Sequence, residues 1–274
     1  MSKVWFITGA GRGFGKQFTL AALERGDQVA ATARDTDALG DLVERFGAAV
    51  LPIALDVTDR EGVFDAVASA VERFGRLDVV VNNAGYGLFG AVEEISEQQL
   101  RDQLEVNLFG VLHVTQAVLP VLREQGHGHI IQISTIGGVA AFPSLGGYHA
   151  SKWALEGLSE SLAQEVAPFG IHVTLIEPGG YTTDWAGSSA VHADPQVQYD
   201  GLRQGMAAQS EQAAAYMGDP EAAGPAILEI ADAEQPPLRV FFGVTPTQMV
   251  PPLYEARLET WKQWEPLSIR ANRR

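Results

Sequence analysis

The sequence predicts an α/β domain, a doubly wound parallel sheet of about seven strands with helices on both faces, and three observations carry that expectation. Short apolar, β-rich runs alternate with helical runs along most of the chain, the pattern of a parallel sheet covered on both sides. A glycine-rich turn follows the first apolar run at once and opens a helical pattern. All 274 residues proceed without a dividing linker or a repeat beyond the βα unit, so residues 1–274 are expected to form one domain around a single core.

The elements follow in order. Residues 4–8, Val-Trp-Phe-Ile-Thr, read as a buried strand, and Gly9-Ala10-Gly11-Arg12-Gly13-Phe14-Gly15 leads from it into a helix reaching Arg25. Glycines let a pyrophosphate approach the backbone, and the free N–H groups at the helix start, with the helix dipole, stabilise its charge. The arrangement is Rossmann-like. Residues 28–33 form the second strand, after which such sites place an acid about 20 residues past the glycines to hold the adenosine ribose. Here that position is Ala33, Arg34 follows it, and Arg12 lies inside the turn. Two guanidiniums in an otherwise acidic protein suit a 2′-phosphate, so NADP(H) is favoured over NAD(H). The competing reading of Arg34 is a solvated arginine paired with Asp35 or Asp37.

The unit then repeats as a helix over 37–46, a strand over 49–55, a helix over 61–74 and a strand over 77–81. Asp56 and Val57 fall at the carboxyl edge of their strand, where ligands bind in such sheets. Asp56 could accept from an adenine amino group or serve the helix entry near Asp59. The turn Asn82-Asn83-Ala84-Gly85 can tie neighbouring strands through its amides and admit a cofactor at its glycine. Ser96-x-x-Gln99 is a capping box that opens one long helix to about Gln125. That helix contains Asn107, polar amid apolar neighbours, which either satisfies the backbone or holds a water.

The strand over 128–134 ends in the hydroxyls of Ser134 and Thr135, and a helix from Tyr148 runs to about Phe169. Tyr148 and Lys152 are four apart, so they share one helix face. An unperturbed tyrosine titrates near pH ~10, and a neighbouring cation lowers that value enough for proton exchange with an alcohol or carbonyl. A strand over 172–176 leads into Glu177-Pro178-Gly179-Gly180, a forced turn that leaves Thr183 near the site. Residues 184–218 show no strand signal and read as a substrate lid or a variable surface excursion. Asp219 caps a helix entered by Pro220, 238–242 is the last strand, 251–264 a terminal amphipathic helix, and 268–274 a frayed basic tail.

Composition narrows the function. Cysteine is absent, which removes disulfides and thiolate chemistry, and the six histidines lack metal-ligand spacing, so no metal site is expected. A formal charge of −15 repels phosphate backbones and anionic lipid, leaving nucleic acid and membranes as improbable partners. No apolar run reaches the roughly 18–20 residues of a membrane span, and no signal-peptide flanks precede the first strand. A cytoplasmic location is expected.

Taken together, Thr8-Gly9-x-x-x-Gly13-x-Gly15, Asn82-Asn83-Ala84-Gly85, Asn107, Tyr148-x-x-x-Lys152 and Pro178-Gly179 resemble the short-chain dehydrogenase/reductase family, in its short rather than its extended branch. The likeness runs from about Lys3 to Phe242. It implies that Tyr148 is the general acid/base, that Lys152 lowers its pKa and binds the nicotinamide ribose, and that Asn107 holds a relay water. The family's serine falls 13 residues before the tyrosine, at Thr135; Ser134 is one residue earlier, and Thr135 is preferred because the loop then has the family length. Cofactor contacts are implied for Gly9, Arg12, Gly13, Phe14, Gly15, Arg34, Asp56, Val57, Asn83, Ala84, Gly85, Pro178, Gly179 and Thr183, besides Tyr148 and Lys152. The implied reaction moves the pro-S hydride between NADPH and a carbonyl, with Tyr148 supplying the proton.

Leu88, Phe89, Val139, Phe142 and Trp185 flank the expected site and suggest a small apolar ketone or secondary alcohol, although a core role explains them equally. The alternative from another class is an NADP(H)-binding sensor or scaffold without turnover. A homo-oligomer, dimer or tetramer, is expected through the Asn107 and Tyr148 helices, with apolar surface around 114–122 and 155–162.

Overall fold

The structure is a computed structural model that describes residues 2–213 and 216–272. Alternation along the first strand shows how both layers arise. In β1 (Val4–Ile7), Trp5 and Ile7 face one side of the sheet while Val4 and Phe6 face the other, and all four are fully buried. A strand apolar at every position suits a sheet covered on both faces. There follow α1 (Gly13–Glu24), β2 (Gln28–Ala33), α2 (Gly40–Phe46), β3 (Val50–Ala54), α3 (Arg60–Phe74) and β4 (Val79–Asn82). The second half adds β5 (Leu88–Phe89), α4 (Glu97–Leu104), α5 (Val111–Gln125), β6 (Gly128–Ile133), α6 (Gly146–Val166) and β7 (Ile171–Pro178). It closes with β8 (Val191–His192), α7 (Asp200–Ala213), α8 (Ala223–Asp232), β9 (Arg239–Phe242) and α9 (Val244–Ala271).

Seven strands form one parallel sheet in the order β3-β2-β1-β4-β6-β7-β9. The expected Rossmann-like α/β fold is therefore present. Phe18 and Ala22 of α1, with Ile227 and Ile230 of α8, pack on one face. Val63 and Val67 of α3, Val114 and Val118 of α5 and Leu162 of α6 pack on the other. Chain direction across the sheet reverses between β1 and β4, which opens a crevice at their carboxyl ends where ligands bind in such folds.

Five expectations change. The helix opened by the Ser96–Gln99 capping box is interrupted, because Glu105–Gly110 forms a π turn between α4 and α5; the extra residue in that turn presents Asn107 inward, fully buried. Glu97–Gln125 as a whole is long and apolar enough to cross a membrane, contrary to the sequence reading, but its apolar face is spent on the sheet and on α3. The stretch read as lacking strands contains β8, which pairs in parallel with β5. Its later part is fastened down: Arg203 bonds Glu94 and Asp200, each at 2.6 Å, and Tyr199 donates to Glu93 at 2.6 Å. Residues 214–215 of that segment lie outside the described residues. Finally, α9 runs on to Ala271 through Pro251, Pro252 and Pro266, so the expected frayed tail is helical over 268–271; residues 273–274 lie outside the described residues. The apolar residues proposed as self-association surface, Val114, Val118, Leu122, Leu155 and Leu162, are core, and exposed apolar rings stand instead at Phe109, Trp153 and Phe169.

Candidate active site

The nucleotide side of the crevice is built from backbone. Gly9 has φ +66°, a left-handed conformation that glycine adopts without strain. At Gly15 a Cβ would lie 2.2 Å from the Gly9 carbonyl oxygen, so only hydrogen lets α1 start this close to the turn. Arg12 precedes α1 in extended conformation without a side-chain cap, and the first turn holds no acid. The leading amides of Gly13, Phe14 and Gly15 thus keep their donor capacity, as an anion site requires. Asn83 secures the turn from β4: its Nδ2 donates to Thr8 O at 2.9 Å and to Gly9 O at 3.1 Å. In return Thr8 Oγ1 accepts from the amides of Asn83 at 2.9 Å and Ala84 at 3.0 Å.

Arg34 is exposed at the end of β2 and makes no ion pair among the described residues, so the pairing with Asp35 or Asp37 does not occur. Asp35 instead accepts from the Asp37 amide at 2.9 Å. Arg12 is engaged across the crevice by Asp184 at 3.2 Å. Bonds from Ser188, with further help from Ser189 and Arg12, hold the Asp184 carboxyl below its ordinary value. Asp56 is exposed and turns onto Thr58, accepting from its amide at 2.9 Å and its hydroxyl at 2.8 Å, while Asp59 precedes α3 without a side-chain cap. Val57 is buried against Gly110. Thr183 faces Gly13, its Cβ 3.9 Å from where a Cβ on that glycine would be. The Gly179 amide donates to Phe242 O at 2.9 Å, and the Pro178 carbonyl accepts from Thr135 Oγ1 at 3.4 Å.

The chemical side is built from side chains of separate elements. Tyr148 and Lys152 lie on the buried face of α6, each 6% exposed. Lys152 Nζ donates to Ile133 O at the end of β6, 2.7 Å away, and stands 5.9 Å from the centre of the Tyr148 ring. Asn107 lies beside them across Gly85. Its Oδ1 accepts from the Tyr86 amide at 3.2 Å, and its Nδ2 donates to Tyr86 O and Ser151 Oγ, each at 3.1 Å, so it staples the Gly85–Tyr86 turn to α6 and leaves one acceptor position on Oδ1.

The two adjacent hydroxyls point to different partners. Thr135 Oγ1 accepts from the Gly137 amide at 3.2 Å and faces Tyr148, whose phenol it draws downward in pKa. Ser134 instead donates to Glu156 Oε1 in the interior. Burial outweighs the Thr135 effect and pushes the Tyr148 phenol above its ordinary value. This departs from the expected lowering by Lys152, and the reason is visible: the Trp185 indole lies over Tyr148 with ring centres 5.0 Å apart. Lys152 is itself lowered to about 8 by burial, with Glu156 acting in the opposite direction.

Of the apolar residues expected around the site, Phe89 and Trp185 are mutual neighbours at 5.2 Å beside Tyr148. Phe142 stands edge-on to His149, the residue after Tyr148, at 5.6 Å. Leu88 and Val139 are core residues. Sequence reasoning missed Tyr86, Ser151, Asp184 and Glu156; only Glu156 had a signal, lying one turn beyond Lys152 on the same helix face.

Comparison with known proteins agrees with this architecture. The family model for short chain dehydrogenases matches residues 3–193. An oxidoreductase of Botryotinia fuckeliana, BOA17, is 43% identical over 272 residues, covering 98% of this chain and 99% of the relative. A short-chain dehydrogenase from Streptomyces avermitilis superposes with a TM-score of 0.92 at 40% identity, covering 99% of this chain and 98% of that one. An alcohol dehydrogenase from Thermococcus sibiricus, solved with 5-hydroxy-NADP, reaches 0.73 at 29% identity over 89% of this chain and 97% of its own. The chain belongs to the short-chain dehydrogenase family. It is an oxidoreductase of the kind that works with a nicotinamide cofactor.

Proposed function

We propose that the protein is an NADP(H)-dependent reductase of a small apolar carbonyl compound, or in reverse a dehydrogenase of the corresponding secondary alcohol. The observation that carries the cofactor choice is Arg34, exposed with no ion pair among the described residues, beside a crevice where Ala33 stands in place of an acid. Arg12 adds a second guanidinium once it leaves Asp184. The free amides of Gly13, Phe14 and Gly15 would hold the pyrophosphate, and Gly85, Pro178, Gly179 and Thr183 line the way to the nicotinamide end. Bound NADPH would supply the hydride.

The chain's own groups would handle the proton. Tyr148 donates to the substrate oxygen, and Thr135 Oγ1 holds that oxygen beside it. Lys152 in its charged form makes the tyrosinate left behind less costly, and Asn107 Oδ1 offers the remaining acceptor for a water leading away from the lysine. Substrate must displace the Trp185 indole from Tyr148, which leaves Phe89 and Trp185 as apolar walls. Self-association as a dimer or tetramer belongs to the same reading. A panel of ketones and alcohols, followed by NADPH absorbance, tests it: turnover with apolar ketones and preference for NADPH are expected. Tight NADPH binding without turnover on any of them would make the protein a sensor instead.

A further inference from the structure

One turn beyond Lys152 lies a buried charged cluster with no part in the proton scheme above. Glu156 is 5% exposed; its Oε1 accepts from Ser134 Oγ and its Oε2 from Arg239 Nε at 3.0 Å. Arg239, on β9, also bonds Glu160 at 2.7 Å and lies 3.5 Å from Oε1 of Glu177. Glu177, at the end of β7, is 1% exposed, and that oxygen has no hydrogen-bond partner among the described residues. The seat is closely fitted, since a Cβ on Gly138 would come within 2.6 Å of Ser134 Oγ and 2.9 Å of Glu156 Oε1.

The groups around Lys152 can be named element by element. From α6 come Tyr148 and Glu156, from β6 the Ile133 carbonyl and Ser134, and from the π turn and the Gly85 turn only the neutral Asn107 and backbone. From β7 and β9 come Glu177 and Arg239. Burial, with the charge of Glu156, pushes Glu177 up to about 8, so it is protonated at neutral pH. Glu160 is half exposed and pairs with Arg239. Lys152 and Arg239 then face Glu156 and Glu160, and Glu156 is the buried carboxyl one turn from the lysine on its own helix face; burial raises its pKa, and Ser134, Arg239 and Lys152 each draw it back down.

We propose that Glu156 is the counter-ion of Lys152: seated by Ser134 and Arg239, it keeps the lysine protonated and thereby sets the upper pH limit of the Tyr148–Lys152 pair. Glu156 is a positioning residue, one that reaches the chemistry through Lys152. The charge of Lys152 is a property of the protein alone, while its effect on the pH limit rests on the proposed reaction. An isolated ammonium at this depth would shed its proton, and a carboxylate one helical turn away opposes that. The arrangement also explains why two hydroxyls stand side by side with different partners, Thr135 serving Tyr148 and Ser134 serving the acid behind Lys152.

The chain has only four lysines, Lys3, Lys16, Lys152 and Lys262, so NMR of protein labelled at the lysine Cε can follow each titration, with Lys152→Met assigning the signal. Glu156→Gln should lower the Lys152 pKa by about one unit or more, the scale of a lost neighbouring charge, with Lys3, Lys16 and Lys262 unmoved. Glu177→Gln should shift it by no more than a few tenths, because that carboxyl is already neutral. The double variant should fall furthest, since Glu177 can ionise beside Arg239 once Glu156 is gone. Ser134→Ala weakens the seat without removing the acid and should move Lys152 the same way by less. An unchanged Lys152 in folded Glu156→Gln overturns the proposal, as does an unchanged Lys152 in Ser134→Ala should Glu156→Gln not fold. A shift in Glu177→Gln equal to that in Glu156→Gln also overturns it. In the enzyme with NADPH, the alkaline limb of kcat/KM should follow the NMR shift. Absence of turnover with every substrate would defeat the reaction scheme while leaving the lysine titration to decide the counter-ion.

Discussion

The nucleotide half of the crevice and the chemical half are built on different principles. From β1 to β4 the anion site is main chain, made by the Gly9 conformation, the close start of α1 against Gly15 and amides without caps, with the Thr8 and Asn83 side chains fastening the turn from behind. From the π turn to β9 the work is done by side chains that meet only because distant elements pack, with Thr135, Tyr148, Lys152, Asn107 and Glu156 each set against a partner from elsewhere. A backbone site needs a short run of permissive residues and tolerates change around it. A side-chain site needs every neighbour in register, so small changes in it alter the chemistry before they alter binding.

Substitutions can break that contrast or sharpen it. Lys152→Met should have the largest effect, because Lys152 stands where the two halves meet. Turnover should fall ~10²–10⁴-fold, as for loss of an acid–base partner, and NADPH should bind more weakly. A variant with normal turnover would leave Tyr148 to act without a cation. Next, Thr135→Ala should cost about 2–4 kcal/mol in kcat/KM by loss of a donor at the developing oxyanion, with Thr135→Ser retaining most activity. Ser134→Ala should cost much less than Thr135→Ala at neutral pH, since its hydroxyl is committed to Glu156, with any loss growing toward alkaline pH. The reverse order would move the reacting hydroxyl to Ser134.

The nucleotide half should respond in binding alone. Arg34→Ala is expected to weaken NADPH about ten- to a hundredfold, the scale of one charge-assisted bond, and to leave NADH unchanged in a calorimetric titration. Equal losses for both would make Arg34 structural. The smallest effect is expected at Asp184, whose pair with Arg12 is exposed at both ends. Freeing Arg12 by Asp184→Asn should tighten NADPH about two- to fivefold, in keeping with an exposed ion pair. Weaker NADPH binding would mean that Asp184 orders the loop rather than competing for the arginine.

The same contrast governs what could be read from sequence. The seven-strand sheet followed from apolar runs, and the phosphate turn from glycines within seven consecutive residues, because both are local. Tyr148 and Lys152 were legible for the same reason, being one turn apart on one helix. Glu156 was within reach, another turn along. Arg239 and Glu177 were not, since their meeting with Glu156 depends on β7 and β9 lying side by side. Trp185 was placed beside the site, but its contact with the Tyr148 ring was not legible, because it depends on how the segment after β7 folds back onto α6. The π turn at Asn107 left no mark because the residues on either side keep a helical pattern, and β8 is only two residues long.

The proton chemistry assigned to Tyr148 and the cofactor binding assigned elsewhere can be separated by one pair of measurements on Tyr148→Phe. Turnover is followed by NADPH absorbance with a ketone accepted by the parent protein, and NADPH affinity is measured by titration of the same sample. The expected result is a fall in kcat of ~10²-fold or more with the dissociation constant for NADPH nearly unchanged. A folded variant that turns over at the parent's rate would contradict it.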